Sequence, residues 1–192
     1  MCDLLCRMKV RGIVPAVSIT DAALTAITRE APRSLDGLET GGILLGTDTA
    51  DGVLIRHAGD AGPSAARGER TFLRDLDHAR QFAESAWVED GSQWIGEWHT
   101  HPTGELAPSD VDLNSYMRHL HDPDLGFDQF VAIIAGLDSS SRIIVSTWLI
   151  ERNRFRPVPL MRLLDDSPEQ RNTTIEATTE INAKPYDREE TL

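Results

Sequence analysis

Two apolar runs of strand length, Phe130–Gly136 and Ile143–Ile150, constrain the fold of this chain most strongly. Neither run approaches the about 20 residues that a membrane-spanning helix requires, so we expect both to lie in a sheet. The polar segment Asp138-Ser139-Ser140 between them is typical of a turn. The pattern predicts a hairpin of Phe127–Leu137 and Ser141–Arg152, in a protein that is not inserted in a membrane.

Towards the N-terminus, helix and strand patterns alternate. Thr20 or Asp21 is positioned to cap a helix that runs through Ala22–Glu30. Short apolar segments at Ile43–Gly46 and Val53–His57 predict another hairpin. This alternation of helices and hairpins indicates an α/β fold built on a mixed sheet.

Two further helices are predicted, over Asp75–Val88 and Pro108–His121, on either side of the β-compatible run Trp94–His101. Ser109 lies at the start of the second helix, where serine is a favoured cap. The positions of that helix predicted to face the core are Val111, Tyr116 and Leu120.

Length and charge favour one acidic globular domain. The 192 residues contain 31 Asp and Glu against 19 Lys and Arg, which gives a net charge of −12. This balance argues against nucleic-acid binding and against attachment to anionic membrane, since both need clustered Lys and Arg. The only cysteines, Cys2 and Cys6, form no disulfide framework, so a reducing, cytoplasmic location is expected.

The character of the chain changes after Leu164. Residues 164–192 are polar and contain eight acidic and three basic side chains, so they carry −5 of the net charge. A segment of this composition buries too little apolar surface to order itself. We therefore expect a domain over residues 1–163 and a poorly ordered acidic tail over 164–192.

A candidate metal site follows the predicted strand Trp94–His101. Side chains alternate between the two faces of a strand, so His99 and His101 point the same way. Asp112 lies one turn into the next helix, and its carboxylate can join the imidazoles if that helix folds back. Two histidines and one carboxylate leave a fourth position for water, which is typical of a catalytic zinc site.

Each part of this pattern also has a structural explanation. His119-Leu120-His121 repeats the spacing of the two histidines, and we interpret these as surface histidines. Ser109-x-x-Asp112 is also a helix capping box, a role that is compatible with chemistry. The combination of histidines, serine and aspartate in one order is more specific than its parts.

Three glutamates are candidates for the general base of such a site. Glu97 shares strand parity with His99 and His101, and Glu105 lies in the loop that follows them. Glu39 is distant in sequence, but it precedes a Gly-Gly pair that allows close backbone packing. Periodicity does not choose among the three.

The run His99-Thr100-His101-Pro102, followed after six residues by Ser109-x-x-Asp112, resembles the JAMM (MPN+/JAB) zinc metalloprotease family. The upstream segment Glu39–Gly46 belongs to the same resemblance. It is closest to small prokaryotic members, including those associated with integrative and conjugative elements and with bacterial ubiquitin-like or antiphage operons. The resemblance covers about residues 15–160 and extends to Ile95–Trp98, Gly62-Pro63 and Phe72–Asp75.

The resemblance implies a fold and a set of residue roles. The fold is a cytidine-deaminase-like α/β/α three-layer arrangement with a curved mixed sheet. His99, His101 and Asp112 would hold zinc, Glu39 would hold the attacking water and shuttle its proton, and Ser109 would assist the oxyanion. Because all five positions are filled, the non-catalytic branch of the family is disfavoured.

The resemblance also implies a zinc-dependent peptidase or isopeptidase that cleaves after the C-terminus of a ubiquitin-like protein. Removal of a modifier and processing of a precursor both stay open, as does a role for Glu97 beyond support of the site. One alternative is a peptidase that acts on a sulfur-carrier protein of ubiquitin-like fold. The other is a scaffold module that keeps zinc without catalysis.

Overall fold

The structure, a computed structural model, describes residues 16–49, 52–138 and 142–163. The strands are β1 Ala16–Thr20, β2 Gly41–Thr49, β3 Gly52–Ala58, β4 Ala66–Arg67, β5 Phe72–Leu73, β6 Gln93–Thr100, β7 Gln129–Leu137, β8 Ile143–Glu151, β9 Arg154–Val158 and β10 Leu160–Leu163. The helices are α1 Asp21–Glu30, α2 Leu76–Asp90 and α3 Asp110–His121, and a 3-10 helix covers Ala31–Asp36.

Eight strands form one curved mixed sheet in the order β10-β1-β3-β2-β6-β7-β8-β9. β6 runs parallel to β7 and antiparallel to β2, and β1 runs parallel to both of its neighbours. β4 and β5 form a separate two-stranded hairpin, which we call the β4–β5 hairpin. Both hairpins predicted from the sequence are confirmed, as β2–β3 and β7–β8.

Helices cover both faces of the sheet, which gives the three-layer α/β/α fold. α1 packs on one face through Ala23 and Ile27. α3 packs on the opposite face through Tyr116 and Leu120, and α2 lies on that face as well. Alternate residues of β7 therefore enter different cores: Val131, Ile133 and Ala135 belong to the cluster that includes α1, whereas Phe130 and Ala132 belong to the cluster that includes α3.

The predicted inward position of Val111 is wrong, because its side chain is 61% exposed. Tyr116 and Leu120 are four residues apart and share one side of α3, where both are buried. Val111 precedes Tyr116 by five residues and so lies about 140° round the helix from it. Asp112 belongs to the buried row instead, four residues before Tyr116, which directs its carboxylate towards the sheet.

The sequence does not predict the strands β1, β9 and β10, since each has only four or five residues, too few to establish a periodic pattern. β9 and β10 border opposite ends of the sheet order, yet Pro159 alone separates them in the chain. Because successive Cα atoms are 3.8 Å apart, the last residue of β9 and the first residue of β10 lie within about 7.6 Å of each other, on either side of Pro159. The two edge strands of the sheet therefore approach one another at this point. The sheet is therefore strongly curved.

Among the helices of the described residues, none combines the length and apolar character needed to span a bilayer. Three sequence expectations lie outside the described residues: the states of Cys2 and Cys6, and the order of the tail 164–192.

Candidate metal centre and active site

The end of β6 presents both histidines on the face of the sheet that α3 covers. A bulge at Ile95 sets this parity, since Leu44 of β2 pairs with Gly96 and Leu45 with Trp94. Beyond the strand, the His101 N–H donates to the Ala135 carbonyl at 2.8 Å, which keeps the chain extended beside β7.

The side chains of His99, His101 and Asp112 converge at this edge. The two Nε2 atoms are 3.0 Å apart, His99 Nε2 lies 3.4 Å from Asp112 Oδ1, and His101 Nε2 lies 3.4 Å from Asp112 Oδ2. The histidines are 5% and 8% exposed. The structure therefore brings together three metal-ligating groups that the sequence separates by up to 13 residues.

These separations fit a metal ion. Ligand atoms bound at about 2.1 Å in a tetrahedron lie about 3.4 Å apart, which equals both histidine–carboxylate separations and exceeds the 3.0 Å between the two Nε2 atoms only slightly. Imidazole nitrogen and carboxylate oxygen are both common ligands of divalent transition metals. The group of His99, His101 and Asp112 can therefore hold such an ion.

The loop that joins the two halves of the metal group is anchored by its carbonyls. His101 Nδ1 donates to the Glu105 carbonyl at 2.9 Å. Because a carbonyl only accepts, Nδ1 carries the proton and leaves the Nε2 lone pair free for a metal. The next carbonyl, that of Leu106, accepts hydrogen bonds from Ser146 Oγ and from Trp148 Nε1, the latter at 3.0 Å.

Asp112 is oriented by the cap of its own helix. The Ser109 N–H and Oγ donate to Asp112 Oδ2 at 2.7 and 2.6 Å, and the Asp112 N–H returns a bond to Ser109 Oγ at 3.3 Å. The capping box predicted from the sequence is therefore present. It occupies Oδ2 and leaves Oδ1 facing His99.

Electrostatics favour a charged carboxylate at the centre. Burial opposes ionisation of Asp112, but hydrogen bonds and charge from His101 and His99 hold its pKa far below the usual range. Burial likewise disfavours the charged form of His101, but the hydrogen bond to Asp112, the Asp112 charge and the hydrogen bond to the Glu105 carbonyl together outweigh burial and raise the pKa of His101. Asp112 therefore stays an anion beside the two imidazoles, which is the form that binds a cation.

Glu39 lies two residues before β2, the strand that pairs with β6, and faces the histidines across this pair. Gly41 pairs with His99, and the Thr100 N–H donates to the Thr40 carbonyl at 2.8 Å, so the register continues to Glu39 opposite His101. Glu39 is 7% exposed. Burial raises the pKa of its carboxyl group, and the charge of the histidines opposes that rise.

The other two candidate bases are engaged elsewhere. Glu97 shares a face with His99, but it forms an ion pair with Arg74 and both side chains are mostly buried. The Glu105 side chain is exposed, and its carbonyl accepts the bond from His101. Geometry therefore separates Glu39 from Glu97 and Glu105, a choice that periodicity left open.

The second His-x-His pattern forms no metal group. On a helix, residues two apart point about 200° from one another, so His119 and His121 diverge. His121 is exposed as predicted. His119 is half-buried, so the prediction of a surface residue holds only in part: its ring stacks on Phe130 at 5.5 Å and contacts Trp94 edge-on at 5.1 Å.

Gly41 provides a test of the close approach between β2 and β6. A Cβ at Gly41 would lie 2.2 Å from the Trp98 carbonyl oxygen and 2.8 Å from His99 Cβ, where backbone cannot yield cheaply. We expect Gly41→Ala to lower the free energy of unfolding by about 3 kcal/mol or more and to weaken metal binding. Denaturant titration and metal analysis measure both effects.

Gly59→Ala is the matched control, since a Cβ there meets Phe82 side-chain atoms, the nearest at 3.2 Å, and not strand backbone. Its expected loss of stability is smaller, with metal binding retained. Equal losses in both variants would contradict the role given to the contact between Gly41 and His99.

Comparison with known proteins bears on fold and family. Residues 20–160 match the family model described as prokaryotic homologs of the JAB domain. A solution structure of a protein from Desulfitobacterium hafniense has a TM-score of 0.59 at 16% identity, and the match covers 82% of this chain and 99% of that one. At this identity, the likeness shows the fold alone.

Two curated proteins with the name CD-NTase/cGAS isopeptidase are similar in sequence. The one from Enterobacter hormaechei subsp. hoffmannii is 30% identical over 128 residues, which is 66% of this chain and 70% of that protein. The one from Escherichia coli is 28% identical over 81 residues, which is 41% of this chain and 52% of that protein.

Proposed function

This chain belongs to the family of prokaryotic JAB-domain proteins, and on that premise we propose that it is a zinc-dependent isopeptidase. The observation that carries the proposal is the convergence of His99, His101 and Asp112 at the separations of a tetrahedral site, with Glu39 buried on the adjoining strand line. The names of its relatives support hydrolysis of an isopeptide bond.

Zinc in this site would lower the pKa of water to near 7 and polarise the substrate carbonyl. His99 and His101 would hold the ion through Nε2, and Asp112 through Oδ1. This donor set of two imidazoles and one carboxylate is typical of catalytic zinc sites with an open position.

Glu39 is the proposed proton carrier. Its carboxylate accepts the proton of the attacking water and returns it to the leaving amine, which otherwise would depart as a high-energy anion. Burial raises the pKa of this carboxyl group, which makes its carboxylate a stronger base for the proton of water. No covalent intermediate with the protein is required.

Ser109 is the proposed oxyanion donor. Its hydroxyl already accepts the Asp112 N–H and donates to Asp112 Oδ2. In the tetrahedral intermediate, rotation about the Cβ–Oγ bond would redirect the hydroxyl hydrogen to the oxyanion, while the Ser109 N–H keeps its bond to Asp112.

The proposed substrate is a conjugate in which the C-terminus of a ubiquitin-like protein is joined to a CD-NTase. The second part of this assignment comes from the names of the relatives, and the first from the sequence resemblance. The cytoplasm is the proposed compartment. The alternative substrate, cleaved by the same chemistry, is a sulfur-carrier protein of ubiquitin-like fold.

The test is incubation of the full chain with C-terminal fusions and lysine conjugates of candidate ubiquitin-like proteins, with and without a zinc chelator. We expect cleavage directly after the modifier, loss of cleavage with chelator, and recovery on addition of Zn²⁺. A zinc-loaded chain that binds these proteins without cleaving any of them would overturn the proposal and favour the scaffold.

Ser109→Ala tests the oxyanion role. We expect kcat at excess Zn²⁺ to fall by about 10²-fold, as for other oxyanion donors, and zinc to stay bound under these conditions, because the Ser109 N–H still donates to Asp112 Oδ2. Because the substitution also removes a helix cap, Thr20→Ala is the matched control: Thr20 caps α1 through the Ala23 N–H and lies outside the candidate site. A similar fall in both variants would assign the effect to helix capping.

A further inference from the structure

The β4–β5 hairpin holds both peptide groups of Glu39. The Glu39 N–H donates to the Gly68 carbonyl at 2.8 Å, and the Glu39 carbonyl accepts from Arg67 Nε at 2.9 Å. Arg67 and Gly68 are consecutive, so two neighbouring residues of the hairpin bind both the N–H and the carbonyl of Glu39. Gly68 in turn donates to the Thr71 carbonyl at 2.8 Å, which closes the hairpin.

Arg67 also binds the segment that leads to Glu39. Its terminal nitrogens donate to the carbonyls of Arg33 and Leu38 at 3.0 and 2.9 Å and pair with both oxygens of Asp36. The guanidinium thus joins three main-chain carbonyls and one carboxylate, and its side chain is only 13% exposed. A planar fork of donors suits this task, and a lysine ammonium does not.

The segment needs such support because regular structure does not supply it. Residues 31–36 form a 3-10 helix, Gly37 follows with φ of 84°, and backbone bonding to β6 begins only at Thr40, whose carbonyl accepts from the Thr100 N–H. A backbone of this kind has several accessible conformations, and each would move the Glu39 carboxylate relative to His101.

We propose that Arg67 is the positioning residue of Glu39: it fixes the carboxylate where it can exchange a proton with the attacking water. We call the hydrogen bonds of Arg67 to the carbonyls of Arg33, Leu38 and Glu39 the clamp. The effect of the clamp on catalysis rests on the proposed function, whereas its hydrogen bonds are observed in the structure. The hydrogen bonds of Arg67 all go to residues 33–39 and none goes to the metal group, so we expect its loss to reduce turnover with little change in zinc or substrate binding.

The experiment compares Arg67→Ala, Arg67→Lys and Arg162→Ala in the zinc-loaded full chain. Arg162 is a matched arginine, since it also forms a forked pair with an aspartate, Asp21, but holds no carbonyl near the site. Zinc affinity, kcat and KM on a cleaved ubiquitin-like fusion, and hydrogen exchange of the Glu39 amide are measured for each.

For Arg67→Ala we expect kcat to fall by about 10- to 100-fold with KM and zinc affinity within about threefold, the signature of a misplaced catalytic group. Exchange of the Glu39 amide should be about tenfold faster, because its hydrogen bond to Gly68 opens more often. Arg67→Lys should follow in the same direction, and it serves as the second variant if the alanine variant does not fold.

Asp36→Asn separates the carbonyl bonds from the ion pair, because it removes the charge paired with Arg67, keeps an oxygen that can accept the Leu38 N–H, and leaves the three carbonyl bonds of Arg67. We expect at most about a fivefold effect on kcat, as for an exposed ion pair. The proposal is overturned if the Arg67 variants keep the kcat and amide exchange of Arg162→Ala, or if KM rises while kcat is unchanged. If wild type cleaves no substrate, the proposed function fails, and the amide exchange of Glu39 still decides the clamp.

Discussion

Replacement of Glu39 by glutamine is expected to abolish most turnover and leave zinc in place. Glutamine has nearly the same shape as glutamate, but its neutral amide cannot accept a proton from water or return one to the leaving amine. General acid–base groups contribute about 10²- to 10⁴-fold, and we expect kcat to fall by a factor in that range. Time courses of cleavage and zinc-to-protein ratios measure the two outcomes.

Glu105→Gln is the matched control, since Glu105 is also a glutamate beside the site but its side chain is exposed. Its carbonyl bond to His101 does not depend on the side chain, so nearly normal cleavage is expected. Near-normal cleavage by Glu39→Gln would show that another group carries the proton. Glu97 would then be the next candidate, because it lies on the same face as the histidines.

Loss of any one metal-ligating side chain should remove both zinc and activity. His99→Ala and Asp112→Ala each leave two protein ligands where tetrahedral zinc needs at least three. Even residues that only support a ligand change metal affinity by about 10- to 100-fold, so we expect more than about 10²-fold weaker zinc binding for a ligand itself. Competition with a chromogenic chelator measures affinity, and cleavage assays at excess Zn²⁺ measure activity.

The second His-x-His pattern offers an internal control for this experiment. His121→Ala removes an exposed histidine of the same spacing, and we expect unchanged zinc affinity and cleavage. Full zinc binding by His99→Ala would mean that the metal is held elsewhere. Loss of zinc by His121→Ala would mean that His121 itself helps to hold the metal, which contradicts its position on α3 away from the site.

The metal group was predictable because it depends on local periodicity. Strand alternation places His99 and His101 on one face, and the Ser109 capping box fixes where α3 begins and hence where Asp112 points. Both rules operate within a few residues, so they can be applied to sequence alone. The α/β class and the two hairpins follow from the same kind of short-range pattern.

Contacts between distant segments of the chain cannot be predicted from local sequence patterns. The choice of Glu39 over Glu97 depends on the pairing of β2 with β6 and on Arg74, which neutralises Glu97 from a distant segment. The clamp at Arg67 has no local signature, because its partners lie about 30 residues earlier in the chain. The prediction for Val111 is wrong because this residue is apolar but lies five positions before Tyr116, which places it on a different face of the helix.

The single-residue link at Pro159 has a consequence for synthesis of the protein. β10 covers the free edge of β1, so the first of the described strands to be synthesised gains its second neighbour only from the last of them. A nascent chain that ends after β8 already contains His99, His101 and Asp112, but β1 still has an open edge available for pairing with another chain. We therefore expect the domain to mature late on the ribosome, once residues 160–163 have emerged, with no stable catalytic intermediate before that point.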